Sequence, residues 1–272
     1  MTVSNRIFIW SQLDEWSKLI ISWFKEAIPS GFFKEAVTDP RNFLYSEQYE
    51  TIRQSTEKQL PQKFKETYTK IRLFHACRPK DVGSYLANGL VPLDIKATNA
   101  EVRALFLSGK FPKVSEEMLA RAISELSNQL RGGHLYLSLD DVSLIKFASH
   151  YLIYGSEYLS GMAAYLSECT GEDCFSALSS IGIPTVFVCD IPLIYFTDSD
   201  IKFLVKELIC YAIRNTENGE PNCIDYTFEF STALPATCIT SHYHPQKIVD
   251  SVKNRGVYIN PQVSCPFCGT PE

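Results

Sequence analysis

The chain of 272 residues has no run of roughly 18 or more apolar residues, so no membrane-spanning helix is expected. Its opening stretch, MTVSNRIFIWSQLDEW, lacks a charged segment leading into a long apolar run and a small-residue cleavage site. No secretory signal is therefore expected, and a cytoplasmic protein is. A surplus of positive charge is missing too: 26 Lys and Arg stand against 31 Asp and Glu, a formal charge of -5, which gives no overall nucleic-acid signature. Neither hydrophobic residues (45%) nor charged ones (21%) depart from ordinary globular values, which excludes wholesale disorder. Only one Cys-x-x-Cys pair occurs, CPFC at 265–268. The nine cysteines are an odd number, which argues against a complete disulfide framework and for reduced, buried small hydrophobes.

The chain is long enough for one large core or two modest ones. Bulky apolar positions from Ile7 to Phe24, among them Trp10, Trp16 and Trp23, fall near helical spacing and predict an amphipathic helix over 7–27, ended by Pro29 and Gly31. Core packing is the expected role of the three tryptophans, with a partner surface on this helix as the alternative. A second helical stretch near 46–70 completes a helical N-terminal region, residues 1–68, ahead of a main domain over 69–272. Within that domain a helix near 115–130, capped by Ser115 and followed by Gly132 and Gly133, marks an insertion over about 95–131. A cysteine-containing tail covers 261–272. Residues 51–131 hold 14 Lys and Arg against 8 Asp and Glu, leaving 12 against 23 for the remainder. If those charges cluster, the segment favours a phosphate-bearing ligand or a nucleic-acid strand; if not, they are solvated helix faces.

Residues 71–92, IRLFHACRPKDVGSYLANGLVP, carry the strongest local pattern. Ile71 and Leu73 supply the apolar side of a strand, and His75 ends it where a side chain can enter a cleft. Pro79 and Asp81 mark a helix start and Gly89 its stop. Alone, His75 reads equally well as a hydrogen-bonded core histidine. Further strands are predicted at HLYLSLDD, with Leu135, Tyr136, Leu137 and Leu139, and at PTVFVCDIPL, residues 184–193, a β-branched run bounded by prolines. A long helix is predicted from about Val142 to Leu166, and an amphipathic one over 199–213. In DYTFEFST, Tyr226, Phe228 and Phe230 face one way and Asp225, Thr227 and Glu229 the other, which leaves Glu229 as a lone carboxylate within an aromatic strand.

Taken together, LFHACRPKDVGSYLANGLVP, HLYLSL followed by FASHY, and FEFSTALPATCI, in that order over 71–241, resemble the three site segments of the poly- and mono-ADP-ribosyltransferases. The resemblance implies an α+β fold, a split mixed or antiparallel sheet with the helical N-terminal region and helical insertion added. It implies NAD as a substrate, with His75 on the adenosine ribose, the Ala76 main chain on the nicotinamide amide, and Arg78 in the binding set. Tyr136 and Tyr151 would sandwich the nicotinamide ring, and Glu229 would hydrogen-bond the nicotinamide ribose and stabilise positive charge as the glycosidic bond breaks. Those roles suit the residue types: aromatic faces favour a planar cation, imidazole suits a diol, and a carboxylate stabilises an oxocarbenium-like centre. Ala76 replaces the family's usual glycine, and the His75–Tyr136 and Tyr136–Tyr151 spacings are long, so Tyr154 is an alternative to Tyr151. Glu157 is the rival acid. The implied activity is transfer of ADP-ribose to RNA, single-stranded DNA or protein, and analogy suggests a bacterial toxin or antiviral effector as the setting. The alternatives are an NAD glycohydrolase, with water as acceptor, and an inactive NAD- or partner-binding module with a zinc-stabilised tail.

Two other patterns are weighed beside it. Cys77 shares a strand face with His75, but a Cys–His nucleophile usually draws its partners from separate elements. CPFC is half of a zinc ribbon whose other half is either Cys169 with Cys174 or His242 with His244. Without a second Cys-x-x-Cys no closed zinc site is expected; should one form, Cys265 and Cys268 belong to it. His242 and His244 in SHYHP have strand spacing, and a surface turn before Pro245 accounts for them as well.

Overall fold

The computed structural model describes residues 6–129, 133–218, 224–252 and 256–268; Gly132 and tail residues 269–272 lie outside these. In chain order its elements are β1 (Ile7–Phe8), α1 (Leu13–Ala27), α2 (Ser30–Thr38), α3 (Pro40–Phe43), α4 (Glu47–Thr67), β2 (Lys70–Cys77), α5 (Val82–Asn88), α6 (Ile95–Phe106), α7 (Glu116–Gln129), β3 (Leu135–Ser138), α8 (Asp141–Lys146), α9 (His150–Ile153), α10 (Glu157–Thr170), α11 (Phe175–Ser179), β4 (Thr185–Pro192), α12 (Asp198–Asn218), β5 (Thr227–Phe230), β6 (Ile239–Tyr243), β7 (Lys247–Val249) and β8 (Val257–Ile259). Helices and a largely antiparallel sheet make it an α+β protein, and no described helix is long and apolar enough to cross a membrane. The chain forms two compact units, Met1–Arg72 with Asp190–Cys223, and Leu73–Cys189 with Ile224–Glu272.

In the first unit α1, α4 and α12 pack on one another, so α12 joins the N-terminal helical region from far along the chain. The stretch expected to open the first helix instead forms β1, which pairs in parallel with the start of β2 (Ile7↔Lys70, Phe8↔Ile71). Tertiary burial overrides helical spacing here, because Phe8 is fully buried among the rings of Trp16, Phe64 and Tyr68 at 5.3–5.8 Å. Trp10 lies before α1, stacks on Trp16 at 5.1 Å and meets Tyr211 edge-on at 4.3 Å, while the Trp16 indole N–H donates to the Trp10 carbonyl. Trp10 and Trp16 are thus core residues and leave no partner surface of their own.

The second unit is built on the sheet order β5-β3-β2-β4-β6. β3 and β5 pair antiparallel with Leu135↔Phe230, Tyr136↔Glu229 and Leu137↔Phe228 in register, so the alternation of both strands places Leu135, Leu137, Phe228 and Phe230 inside and Tyr136, Thr227 and Glu229 on one open face. A helical layer around Phe106, Leu119, Met162 and Leu166 forms the remaining core. The insertion contributes two helices to it. α7 was foreseen with its Ser115 cap, which accepts from the Met118 N–H; α6, capped by Asp94, was not.

The single helix expected over 142–166 is three. Asp140 caps α8, Gly155 adopts φ +101° after α9, and Ser156 caps α10 by accepting from the Leu159 N–H. α5 follows its local signals, with Asp81 accepting from the Gly83 N–H and Gly89 closing the helix at φ +82°. A Cβ on Gly89 would lie 2.1 Å from the Leu234 carbonyl oxygen, because Leu90 and Leu234 exchange two main-chain hydrogen bonds of 2.9 Å. Only glycine allows that approach.

Candidate functional site

The open face of β3 and β5 forms one wall of a pocket of about 710 Å³ within the second unit, a size in the usual range for small-molecule and cofactor sites. The pocket gathers His75, Ala76, Tyr136, Tyr151 and Glu229, five residues expected at the site from the sequence. Tyr136 and Glu229 face each other directly across the β3/β5 ladder. His75 is tied to the same strand, since its Nδ1 lies 3.0 Å from the Tyr136 carbonyl oxygen. A carbonyl only accepts, so Nδ1 carries the proton and Nε2 is left as an acceptor. Desolvation holds the His75 pKa below the ordinary histidine value, outweighing the opposing effect of that hydrogen bond, and the ring is neutral at pH 7.

His134, two residues before Tyr136, was not singled out from the sequence, although the strand period that puts Tyr136 on the open face puts His134 there too. Its Nδ1 lies 2.7 Å from Glu229 Oε1, an ion-pair distance without hydrogen-bond alignment. The rival acid Glu157 also lines the pocket, at the first turn of α10. Burial, followed by the nearby Glu157 carboxylate, drives the Tyr151 hydroxyl well above the usual tyrosine range. His150 Nε2 stands 3.7 Å from Glu157 Oε1, and burial lowers its pKa despite that carboxylate. Tyr154, the alternative to Tyr151, is buried away from the pocket and donates to Asp250 Oδ2 at 2.7 Å.

Arg78 takes a different place from the one expected. Its guanidinium donates to the main-chain carbonyls of Ile181 (2.7 Å), Leu152 (3.1 Å) and Ser179, and also reaches the Tyr258 hydroxyl. With four of its five N–H donors engaged and its side chain outside the pocket lining, it is a strut between the end of β2 and the segments around it. Cys77 does line the pocket, but burial pushes its thiol up to about 12 in spite of a hydrogen bond from the Tyr85 hydroxyl, which leaves no thiolate for nucleophilic attack near neutral pH.

Among the described residues no Lys or Arg lines the pocket. The basic residues of 51–131 are divided between the two units, and seven of the fourteen have acid partners among the described residues: Arg53 with Glu50, Lys63 with Glu26, Lys65 with Asp198, Arg72 with Asp190, Lys80 with Glu101, Arg103 with Glu116 and Arg121 with Glu125.

A second cluster in the same unit joins His242, His244, Cys265 and Cys268, whose ligand atoms all lie within 4.8 Å of one another. Cys169, exposed on α10, and Cys174, buried before α11, take no part in it. His244 is buried rather than on a surface turn. No family model, curated protein or solved structure matches the chain.

Proposed function

We propose that the pocket binds NAD and that the protein is an ADP-ribosyltransferase, cleaving the nicotinamide glycosidic bond and passing ADP-ribose to a macromolecule. The observation that carries this reading is the direct pairing of Tyr136 with Glu229 across β3 and β5, with His75 bound to the Tyr136 main chain in the same pocket. Four tyrosines and two carboxylates, with no Lys or Arg among the described lining, suit a planar cation and the positive charge that develops when it leaves.

Glu229 accepts from a hydroxyl of the nicotinamide ribose and lies where a carboxylate lowers the energy of an oxocarbenium-like centre. The C–N bond breaks with its electron pair leaving on neutral nicotinamide; an acceptor oxygen or nitrogen then bonds to the ribose carbon and loses its proton to the carboxylate or to solvent. His75 Nε2 accepts from the adenosine ribose, and Tyr136 and Tyr151 hold the nicotinamide ring. With half of the fourteen basic residues of 51–131 paired to acids and none lining the pocket among the described residues, the acceptor is a nucleic acid or a protein.

The test is incubation of the protein with NAD labelled in the adenosine moiety, in cell lysate, with nicotinamide release measured in parallel. Expected are nicotinamide release and macromolecular label, both lost in Glu229→Gln; removal of the label by protease or by nuclease identifies the acceptor. Free ADP-ribose with no labelled macromolecule would replace transfer by hydrolysis while keeping the donor chemistry. Absence of both NAD turnover and NAD binding would overturn the reading.

A further inference from the structure

We propose that His242, His244, Cys265 and Cys268 form a closed, tetrahedral structural zinc site that fastens the C-terminal tail to β6. It stands apart from the NAD reading. Cys265 and Cys268 sit in a tight turn, closed by the Cys268 N–H on the Cys265 carbonyl at 3.0 Å, with their sulfurs 3.8 Å apart. That is far beyond a disulfide bond of about 2.05 Å. It equals the edge, about 3.8 Å, of a tetrahedron with zinc–sulfur arms of about 2.3 Å. His242 Nε2 lies 3.3 Å from Cys265 Sγ and 3.6 Å from Cys268 Sγ, against about 3.6 Å for a sulfur–nitrogen edge around zinc.

His244 supplies the independent sign of a ligand. It is 6% exposed, and its Nδ1 is engaged by the Pro184 carbonyl at 3.0 Å and the Thr185 hydroxyl at 3.2 Å. The carbonyl fixes the proton on Nδ1 and leaves the lone pair on Nε2, the arrangement by which a second hydrogen bond orients a metal-bound histidine. Yet Nε2 is buried with no hydrogen-bond partner among the described residues. A buried acceptor without a partner costs roughly 1–3 kcal/mol, and a metal ion in the cluster removes that cost. Two thiolates with two imidazoles and no carboxylate in the group select zinc over hard cations, and four protein ligands leave no open position for catalysis. Binding releases both thiol protons to solvent.

The site bears on the pocket through stacked rings. His242 pairs with Phe187 across β6 and β4, and the rings of His242 and Phe187 are 5.9 Å apart. Phe187 stacks on Tyr85 at 4.9 Å, and Tyr85 lines the pocket. From the tail side, Phe267, between the two cysteines, lies over Gly83 at the start of the same helix α5, where a Cβ would come within 2.6 Å of its ring.

The experiment is elemental analysis of the full chain purified without chelator, together with cobalt(II) substitution of the metal-stripped protein. About one equivalent of zinc per chain is expected, with a cobalt spectrum showing thiolate charge transfer and intense tetrahedral ligand-field bands. Zinc should fall to background in His244→Ala and in the double variant Cys265→Ser/Cys268→Ser, and stay at one equivalent in Cys169→Ser. Less than about a tenth of an equivalent of zinc in the wild-type protein, with no thiolate–cobalt band on reconstitution, would overturn the proposal, as would full zinc retention in the double variant. The cobalt measurement needs no variant and stays decisive if the substituted chains do not fold.

Discussion

The pocket has two walls that carry the same three residue types on different frameworks. The strand wall presents His134, Tyr136 and Glu229; the helix wall presents His150, Tyr151 and Glu157. On the strand wall, side-chain direction follows from the pleat and register follows from the β3/β5 ladder, and His134 approaches Glu229 to 2.7 Å. On the helix wall the trio straddles the break between α9 and α10, the histidine stands off at 3.7 Å, and burial and then the acid hold the tyrosine hydroxyl in its protonated form. Composition alone therefore does not pick the acid. On the proposed NAD reading, Glu157 sits at a helix N-terminus that already stabilises its negative charge, whereas Glu229 projects from an open strand face within the pairing of β3 with β5, and the two are told apart by exchanging each for its amide.

The largest effect should come from exchanging the two acids for amides. Glu229→Gln is expected to lower the rate of nicotinamide release by about 10²–10³-fold with NAD affinity nearly unchanged, while Glu157→Gln lowers it by less than about tenfold. Steady-state kinetics on both variants decide it, and the reverse ranking would move the chemistry to the helix wall.

Next in size is Arg78, whose guanidinium holds the Leu152 carbonyl at the end of α9. Arg78→Met leaves several carbonyls unpaired and should reduce unfolding stability by about 3 kcal/mol. A denaturant melt measures this; an unchanged melt together with lost NAD affinity would show that Arg78 serves the ligand after all.

A smaller change is expected for the ring contacts. Tyr136→Ala should weaken NAD binding roughly tenfold and Tyr151→Ala by a similar factor if the two rings hold nicotinamide from both walls. Calorimetric titration with NAD tests the pair, and an effect confined to one variant would assign the ring to a single wall.

The smallest effect is in pH dependence. Because desolvation keeps the His75 pKa below the ordinary 6.5, His75 stays neutral as pH falls through that value and becomes protonated only below its own lowered pKa. The ratio of NAD affinities of the wild type and His75→Gln should therefore be constant from about pH 8 to about 6.5 and shrink only at lower pH. Comparing the two proteins cancels contributions from His134 and His150, and a ratio already shrinking near pH 7 would contradict the neutral assignment.

What could be read from the sequence was local. The alternation in DYTFEFST and HLYLSL put Glu229 and Tyr136 on an open face, and Asp81 and Gly89 bounded α5, because strand period and helix capping act over a few residues. His134 obeys the same alternation and was within reach of the same argument. Other features were decided only by contacts between distant segments. Arg78 has the composition of an anion-binding residue, but carbonyls 74 to 103 positions away claim its donors. The run from Val142 to Leu166 has helical periodicity throughout, yet it breaks at Gly155, and that break places Glu157 in the pocket. Phe8 and Trp10 left the predicted helix for an aromatic core completed by residues such as Phe64 and Tyr211. CPFC offered two neighbouring cysteines, and only the fold brought His242 and His244, rather than Cys169 and Cys174, beside them. Periodicity and caps fix which way a backbone segment turns its side chains, whereas the partner of a long, polar or ligating side chain is set by whichever distant segment the packed core brings within bonding distance.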